Sequence, residues 1–148
     1  MMKANMESIL RGWIALVAMM AVGNTVQCFV DERFLANKLY TGAAESVNPL
    51  MARLFGVWTL LAAIVRFYGA LHITIQPIYN LTLISFILAL VHFVLESFVY
   101  KSAPMSIGVI APLLVSGLSV ILMVIGYSYI EFDVPRRQIH KTSKKKLM

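Results

Sequence analysis

The sequence predicts an all-α fold, a polytopic bundle of four transmembrane helices, on three observations. Hydrophobic residues make up 59% of its 148 residues and charged residues only 14%, against about 25% charged in a soluble domain. The mean hydropathy is +0.78. Four apolar segments each come close to the roughly 20 residues that cross about 30 Å of hydrocarbon. A chain this small has a high surface-to-volume ratio and cannot hide so much apolar surface from water. A soluble enzyme and a disordered chain are excluded by the same counts.

The first span covers about 12–30 and carries no charge. Lys3 and Arg11 precede it, as in a secretory signal, but the apolar run continues past Val22 without a small-x-small cleavage site. It is therefore read as a retained span. The second covers about 54–71 and is interrupted by Arg66. The third covers about 75–95, with His92 near its end. The fourth lies within 104–130. Its helix is expected to begin near Pro104, since proline suits a first helical turn, and to kink at Pro112, which neighbouring helices tolerate in a bilayer. Residues 1–132 form one bundle, 133–148 a basic cytosolic tail, and no internal repeat is evident.

Charge sets the orientation. Arg136, Arg137, Lys141, Lys144, Lys145 and Lys146 hold six of the 13 positive charges. With Lys3, Arg11 and Arg66 they put nine on the side of the termini, against Arg33, Lys38, Arg53 and Lys101 on the other. The positive-inside rule then places both termini in the cytosol. The tail has no interleaved aromatics and no nucleic-acid-binding motif, so anionic lipid headgroups are its natural counterpart and nucleic acid is not. Cys28 is the single cysteine. It allows no intrachain disulfide and reads as a small buried hydrophobe.

Ionisable groups at membrane depth are costly and call for partners. Asn24, Thr25, Gln27, Arg53, His92 and Glu96 all fall in the third of the bundle away from the termini. The expected result is a polar cluster there, with Arg53 and Glu96 as its ion pair. Such a cluster serves either as packing glue, at about 1 kcal/mol or less per interhelical bond, or as a catalytic or ion site. Packing is the default reading. Arg66 is expected to snorkel to the cytosolic interface, where Glu7 and Glu131 could pair with it and lipid phosphate is the alternative.

Small residues recur at helix-packing spacing: Gly108, Pro112 and Ser116; Ala52 and Gly56; Ser85 and Ala89. They allow close backbone approach, within the bundle or against another membrane protein, a second copy included. Trp13, Trp58, Tyr40, Tyr68, Tyr79, Tyr100, Tyr127 and Tyr129 gather toward span ends, as an interfacial aromatic belt does. Arg53 through Val57 and Arg66 through Leu71 fit a proposed cholesterol-contact pattern that is too permissive to carry weight. Asn80-Leu81-Thr82 fits the glycan acceptor pattern, but the topology puts it on the cytosolic side, where it should be unused.

Catalytic signatures are sparse. Three histidines, His72, His92 and His140, are too few for a membrane di-iron oxidase. His92 and Glu96 could supply two metal ligands, but no third has comparable spacing. There is no G-x-G-x-x-G or P-loop, no G-x-S-x-G elbow, and no voltage-sensor run or potassium filter loop. No cofactor or metal is expected.

Several stretches together resemble the ergosterol biosynthetic protein 28 family. They are Gly23-Asn24-Thr25-Val26-Gln27, Lys38-Leu39-Tyr40-Thr41-Gly42, "ARLFGVWTLL" from Ala52 with Arg66 following, "LALVHFVLESFVY" from Leu88, and "IGVIAPL" from Ile107. The resemblance covers roughly 9–132. It implies a small four-span protein of the endoplasmic reticulum. Such a protein would be a non-catalytic scaffold for the sterol C-4 demethylation enzymes: a C-4 methyl sterol oxidase, a 3β-hydroxysteroid dehydrogenase/decarboxylase and a 3-keto-sterol reductase. It implies no catalytic residues. Its motif positions are Asn24, Gln27, Arg53, Trp58, Arg66, His92 and Glu96. Lys145 and Lys146 near the end of the chain resemble a dilysine retrieval signal of endoplasmic reticulum membrane proteins, which needs a cytosolic C-terminus. Two rival readings stay open: an intramembrane sterol-modifying enzyme using Glu96 and His92 as acid and base, and a small membrane carrier with a hydrated path.

Overall fold

The computed structural model describes residues 1–133. The basic residues from Arg136 onward, with the retrieval signal at Lys145 and Lys146, lie outside them. Four helices are long and apolar enough to cross a membrane: Met2–Val30, Pro49–Leu71, Gln76–Val99 and Ile107–Gly126. We name Met2–Val30 α1, the short helix Phe34–Lys38 α2, Pro49–Leu71 α3, Gln76–Val94 α4 and Ile107–Gly126 α5. A 3₁₀ segment, Thr41–Ser46, follows α2, and a π turn, Leu95–Val99, continues α4. No strand occurs among the described residues.

The spans pack α1 on α3, α3 on α4 and α4 on α5, and α1 and α5 touch more sparsely. The two ends of the described residues lie at one end of the bundle, the terminal face, where the Lys3 ammonium meets the Glu131 carboxylate at 2.6 Å. The opposite end, the loop face, carries α2 and the connection 100–106.

Helix bounds differ from expectation for local reasons. α1 begins at Met2, so its 29 residues reach about 43 Å, more than the hydrocarbon thickness. Its first turns project past it, and there Arg11 pairs with Glu7 at 2.7 Å. The same Arg11 donates to the Ala70 and Leu71 carbonyls at 2.8 and 2.7 Å, which lie in the last turn of α3 and have no intrahelical donor. α3 begins at Pro49, before the expected span, because the Asn48 side chain accepts from the Met51 amide at 2.9 Å and Pro49 occupies the first turn. Both are helix-start signals. α5 begins at Ile107, after Pro104, because the preceding chain turns through Lys101 (φ 56°) and buries Ala103. Pro112 lies inside α5. It has no N–H for the ladder, and the Ser116 hydroxyl donates to its carbonyl at 2.6 Å.

Two apolar cores form, one at each end. Leu10, Ile14, Tyr79, Phe86 and Met123 are buried near the terminal face. Cys28, Leu35, Tyr40, Phe93 and Val109 are buried near the loop face. The chain 31–48 is thus no loose loop, since Leu35, Leu39 and Tyr40 fold back over the bundle end. Gly108 lies against the Lys38 carbonyl and brings α5 onto α2. The aromatic-belt reading needs correction at three positions. Tyr40 and Tyr79 are buried, and the Trp13 indole N–H turns inward to donate to Ser119 Oγ at 2.9 Å. Buried Tyr O–H and Trp N–H groups need an acceptor, and each finds one inside the bundle.

The Lys3–Glu131 pair makes a modest prediction. The Lys3 hydrogen bond and charge hold the Glu131 carboxyl below the usual glutamate range. A depressed folded value stabilises above the unfolded value and loses that contribution as pH falls through the folded one. Both groups are exposed, so the stability effect is small. Carboxyl NMR titration should place Glu131 below an ordinary glutamate, and Lys3→Met should return it to the ordinary value with little change in melting.

Candidate functional site: an open intramembrane cavity and a histidine–tyrosine hub

Between the two cores the four spans enclose a cavity of about 790 Å³. α3 contributes Phe55, Trp58, Thr59, Ala62 and Arg66, and α4 contributes Phe86, Ala89 and Phe93. α5 contributes Pro112, Val115 and Ser116. From Phe55 to Arg66 the wall runs about 16 Å along α3. The cavity is open on one side. Met20, Gly23, Asn24 and Gln27 of α1 and Ile107 and Ala111 of α5 line it and are exposed. Those two helices meet near the terminal face, through Trp13 and Ser119 and through Leu10 against Gly126. The opening is therefore lateral, along the exposed flanks of two spans.

At the loop-face end, His92 is the hub. Its Nε2 lies 2.7 Å from the Tyr40 hydroxyl. Its ring sits edge-on to Trp58 at 5.2 Å, and Trp58 sits edge-on to Phe55 at 5.3 Å. The Ser102 hydroxyl donates to the Glu96 carboxylate. The π turn starts at Leu95, between His92 and Glu96. The two side chains have separate hydrogen-bond partners, Tyr40 and Ser102. Deeper in, Thr25 and Thr59 share a hydrogen bond at 2.9 Å across α1 and α3.

Two expectations are overturned. Arg53 and Glu96 form no ion pair: Arg53 is exposed, on the flank of α3 that also exposes Leu50, Leu54 and Val57. Helical spacing put Arg53 at the right height but on the outward side. Arg66 does not snorkel to the interface. It is 7% exposed and lines the cavity. Its Nε and Nη2 donate to Ser85 Oγ and the Ser85 carbonyl, both at 3.3 Å. Its guanidinium lies 4.2 Å from the Phe86 ring centre, a cation–π arrangement. Glu7 and Glu131 pair instead with Arg11 and Lys3. Of the other proposed residues, Asn24, Gln27 and Trp58 line the cavity. No cluster of three metal-ligating side chains occurs among the described residues.

Tyr40 was not among the site residues read from the sequence. It lies far along the chain from His92, and no periodic signal links a connecting segment to a span. Burial, then the Glu96 charge, then Cys28 push its hydroxyl above the usual tyrosine range. It should stay protonated where exposed tyrosines ionise, near pH 10. The unfolded chain would then lose that proton first, so this group's contribution to stability falls as pH rises above about 10. Alkaline absorbance titration of the folded protein should show the same phenolate amplitude in wild type and Tyr40→Phe. That variant should also cost about 1 kcal/mol for the lost bond to His92.

The family model described as Erg28 like protein matches residues 10–121, the greater part of the chain. This chain belongs to the Erg28 family. Among its relatives, the ergosterol biosynthetic protein 28 homolog of Homo sapiens is 46% identical over 131 residues, 88% of this chain and 94% of that protein. Ergosterol biosynthetic protein 28 of Schizosaccharomyces pombe is 38% identical over 79% of this chain and 85% of its own length. The Saccharomyces cerevisiae protein of the same name is 32% identical over 75% of each. No solved structure matches the chain. The family match runs from the terminal-face core on α1, through the cavity, to the last turns of α5. The names of these relatives refer to ergosterol biosynthesis and to no catalytic activity.

Proposed function

We propose that this Erg28 family member takes part in sterol biosynthesis as a non-catalytic scaffold of the endoplasmic reticulum membrane. It tethers the C-4 methyl sterol oxidase, the 3β-hydroxysteroid dehydrogenase/decarboxylase and the 3-keto-sterol reductase of sterol C-4 demethylation, with both its termini in the cytosol. The observation that carries this reading is similarity over three quarters or more of the chain to relatives named for ergosterol biosynthesis. The geometry is compatible with it: His92 and Glu96 are each engaged by a side chain from a connection, Tyr40 and Ser102. The flanks of α3 and α4 expose long apolar rows, including Leu54, Val57, Leu61, Leu81, Ile84 and Leu88, which serve as contact faces for other spans.

A tether acts by effective concentration, raising encounter between consecutive enzymes to the millimolar range without new chemistry. Apolar intermediates remain in the bilayer, so assembly in its plane shortens their path. Cells lacking the chain should accumulate C-4 methylated sterols while all three enzymes persist, and its return should restore the profile. An unchanged sterol profile would refute the proposal.

A further inference from the structure

We propose that the lateral cavity binds one amphiphile from the bilayer, its apolar body in the slot and its carboxylate on Arg66. The wall is mostly apolar, and a cavity of about 790 Å³ lies within the range of small-molecule sites. Two cations line it: Lys38, exposed at the loop-face end, and Arg66, buried at the inner end. Arg66 is buried in a membrane span, and the ion pairs among the described residues are Lys3–Glu131 and Arg11–Glu7, both elsewhere. A guanidinium carries five N–H donors. Ser85 takes two, and Nη1 has no acceptor among the described residues. Phe86 covers one face of the group and Ser85 fixes one edge, so its free edge is held ready for an acceptor.

A planar fork with open donors matches a carboxylate, which it binds through paired charge-assisted hydrogen bonds. Depth agrees with that assignment. Arg66 lies five positions before Leu71, the last residue of α3, about 8 Å from the helix end. An anionic head on Arg66 would lie between one and two helical turns inside the end of α3, and its apolar body would extend toward mid-bilayer past Thr59 and Ala62. The lateral opening between α1 and α5 admits such a molecule from the lipid phase without passage through water. This site is a property of the chain alone and stands or falls independently of the tethering of enzymes.

The test is photolabelling of the purified full chain in neutral phosphatidylcholine nanodiscs. The probe is a palmitate analogue carrying a diazirine and an alkyne, with its methyl ester as the uncharged control. The acid should label peptides that line the slot, around Val17, Thr59 and Val115, and the ester should label them about tenfold less, as loss of a charge-assisted pair implies. Arg66→Gln should lower acid labelling to the level of the ester. Ala62→Phe, which fills the slot and leaves the guanidinium in place, should do the same, with both variants checked for unchanged elution and melting. Competition by oleate or by cholesteryl hemisuccinate then separates an extended-chain acid from a sterol acid, and either supports the site. Equal labelling by acid and ester, labelling outside the slot, or a folded Ala62→Phe that labels as wild type would overturn it.

Discussion

Tyr79→Ala should cost roughly 3–5 kcal/mol of bundle stability, the range for removing a large buried ring. Tyr79 is fully buried at the terminal face. Its hydroxyl donates to the Met123 carbonyl at 2.6 Å, which ties α4 to α5 near the C-terminal end of that helix. Its ring meets Tyr127 and Phe132 edge-on at 5.6 and 5.4 Å. Truncation would leave a void and leave the Met123 carbonyl with the Tyr127 amide as its remaining donor, at 3.0 Å. In a bilayer the apolar transfer term is weak, but the lost packing remains, since close packing is what drives helix association there. Tyr79→Phe keeps the ring and should cost only about 1 kcal/mol. Unfolding titrations in mixed micelles will separate the two. Near-equal losses would mean that the hydroxyl, and not the ring, holds this end together.

Gly69→Ala should be strongly damaging for so small a change. A Cβ at Gly69 would fall on the Thr82 side chain, which is itself buried at the α3–α4 crossing and bonded to the Ile78 carbonyl at 2.9 Å. Thr82 cannot rotate away without losing that bond, so the helices must part. Overpacking of this kind costs about 1–3 kcal/mol. Thr82→Gly vacates the same space. The exchanged pair, Gly69→Ala with Thr82→Gly, should be more stable than the sum of its single variants implies, because residues in contact do not add. Strict additivity would show that the crossing is looser than the structure describes.

The fold class was legible because span length and apolar content reflect the thickness of the bilayer, which acts on every helix alike. The helix starts were partly legible. Asn48-Pro49 is a cap followed by a first-turn proline, a signal that outranks hydropathy and places the start of α3 earlier. Pro104 pointed the other way, because the positive φ of Lys101 and the burial of Ala103 hold the connection in a turn. The site was less legible. Sequence gives the height of a residue along its span, which brought Asn24, Gln27 and Trp58 to one cavity. It does not give the rotation of each span about its axis. Arg53 and Arg66 were therefore each assigned to the wrong side: Arg53 points out and Arg66 points in. Polar residues in the spans suggested an ion pair, whereas the bundle uses side chains from its connections, Tyr40 and Ser102, to hold His92 and Glu96. The π turn at Leu95–Val99 leaves no mark in hydropathy at all.

Affinity purification from gently solubilised membranes, read by mass spectrometry, tests the tethering claim most directly. Wild type should recover the three C-4 demethylation enzymes together. Arg53 and Leu54 lie on an exposed flank of α3, so the double variant Arg53→Ala with Leu54→Ala removes contact surface without opening the core, and a folded variant losing an enzyme would place that partner on this flank. If intact wild-type bait recovers none of the three enzymes, the scaffold account is contradicted.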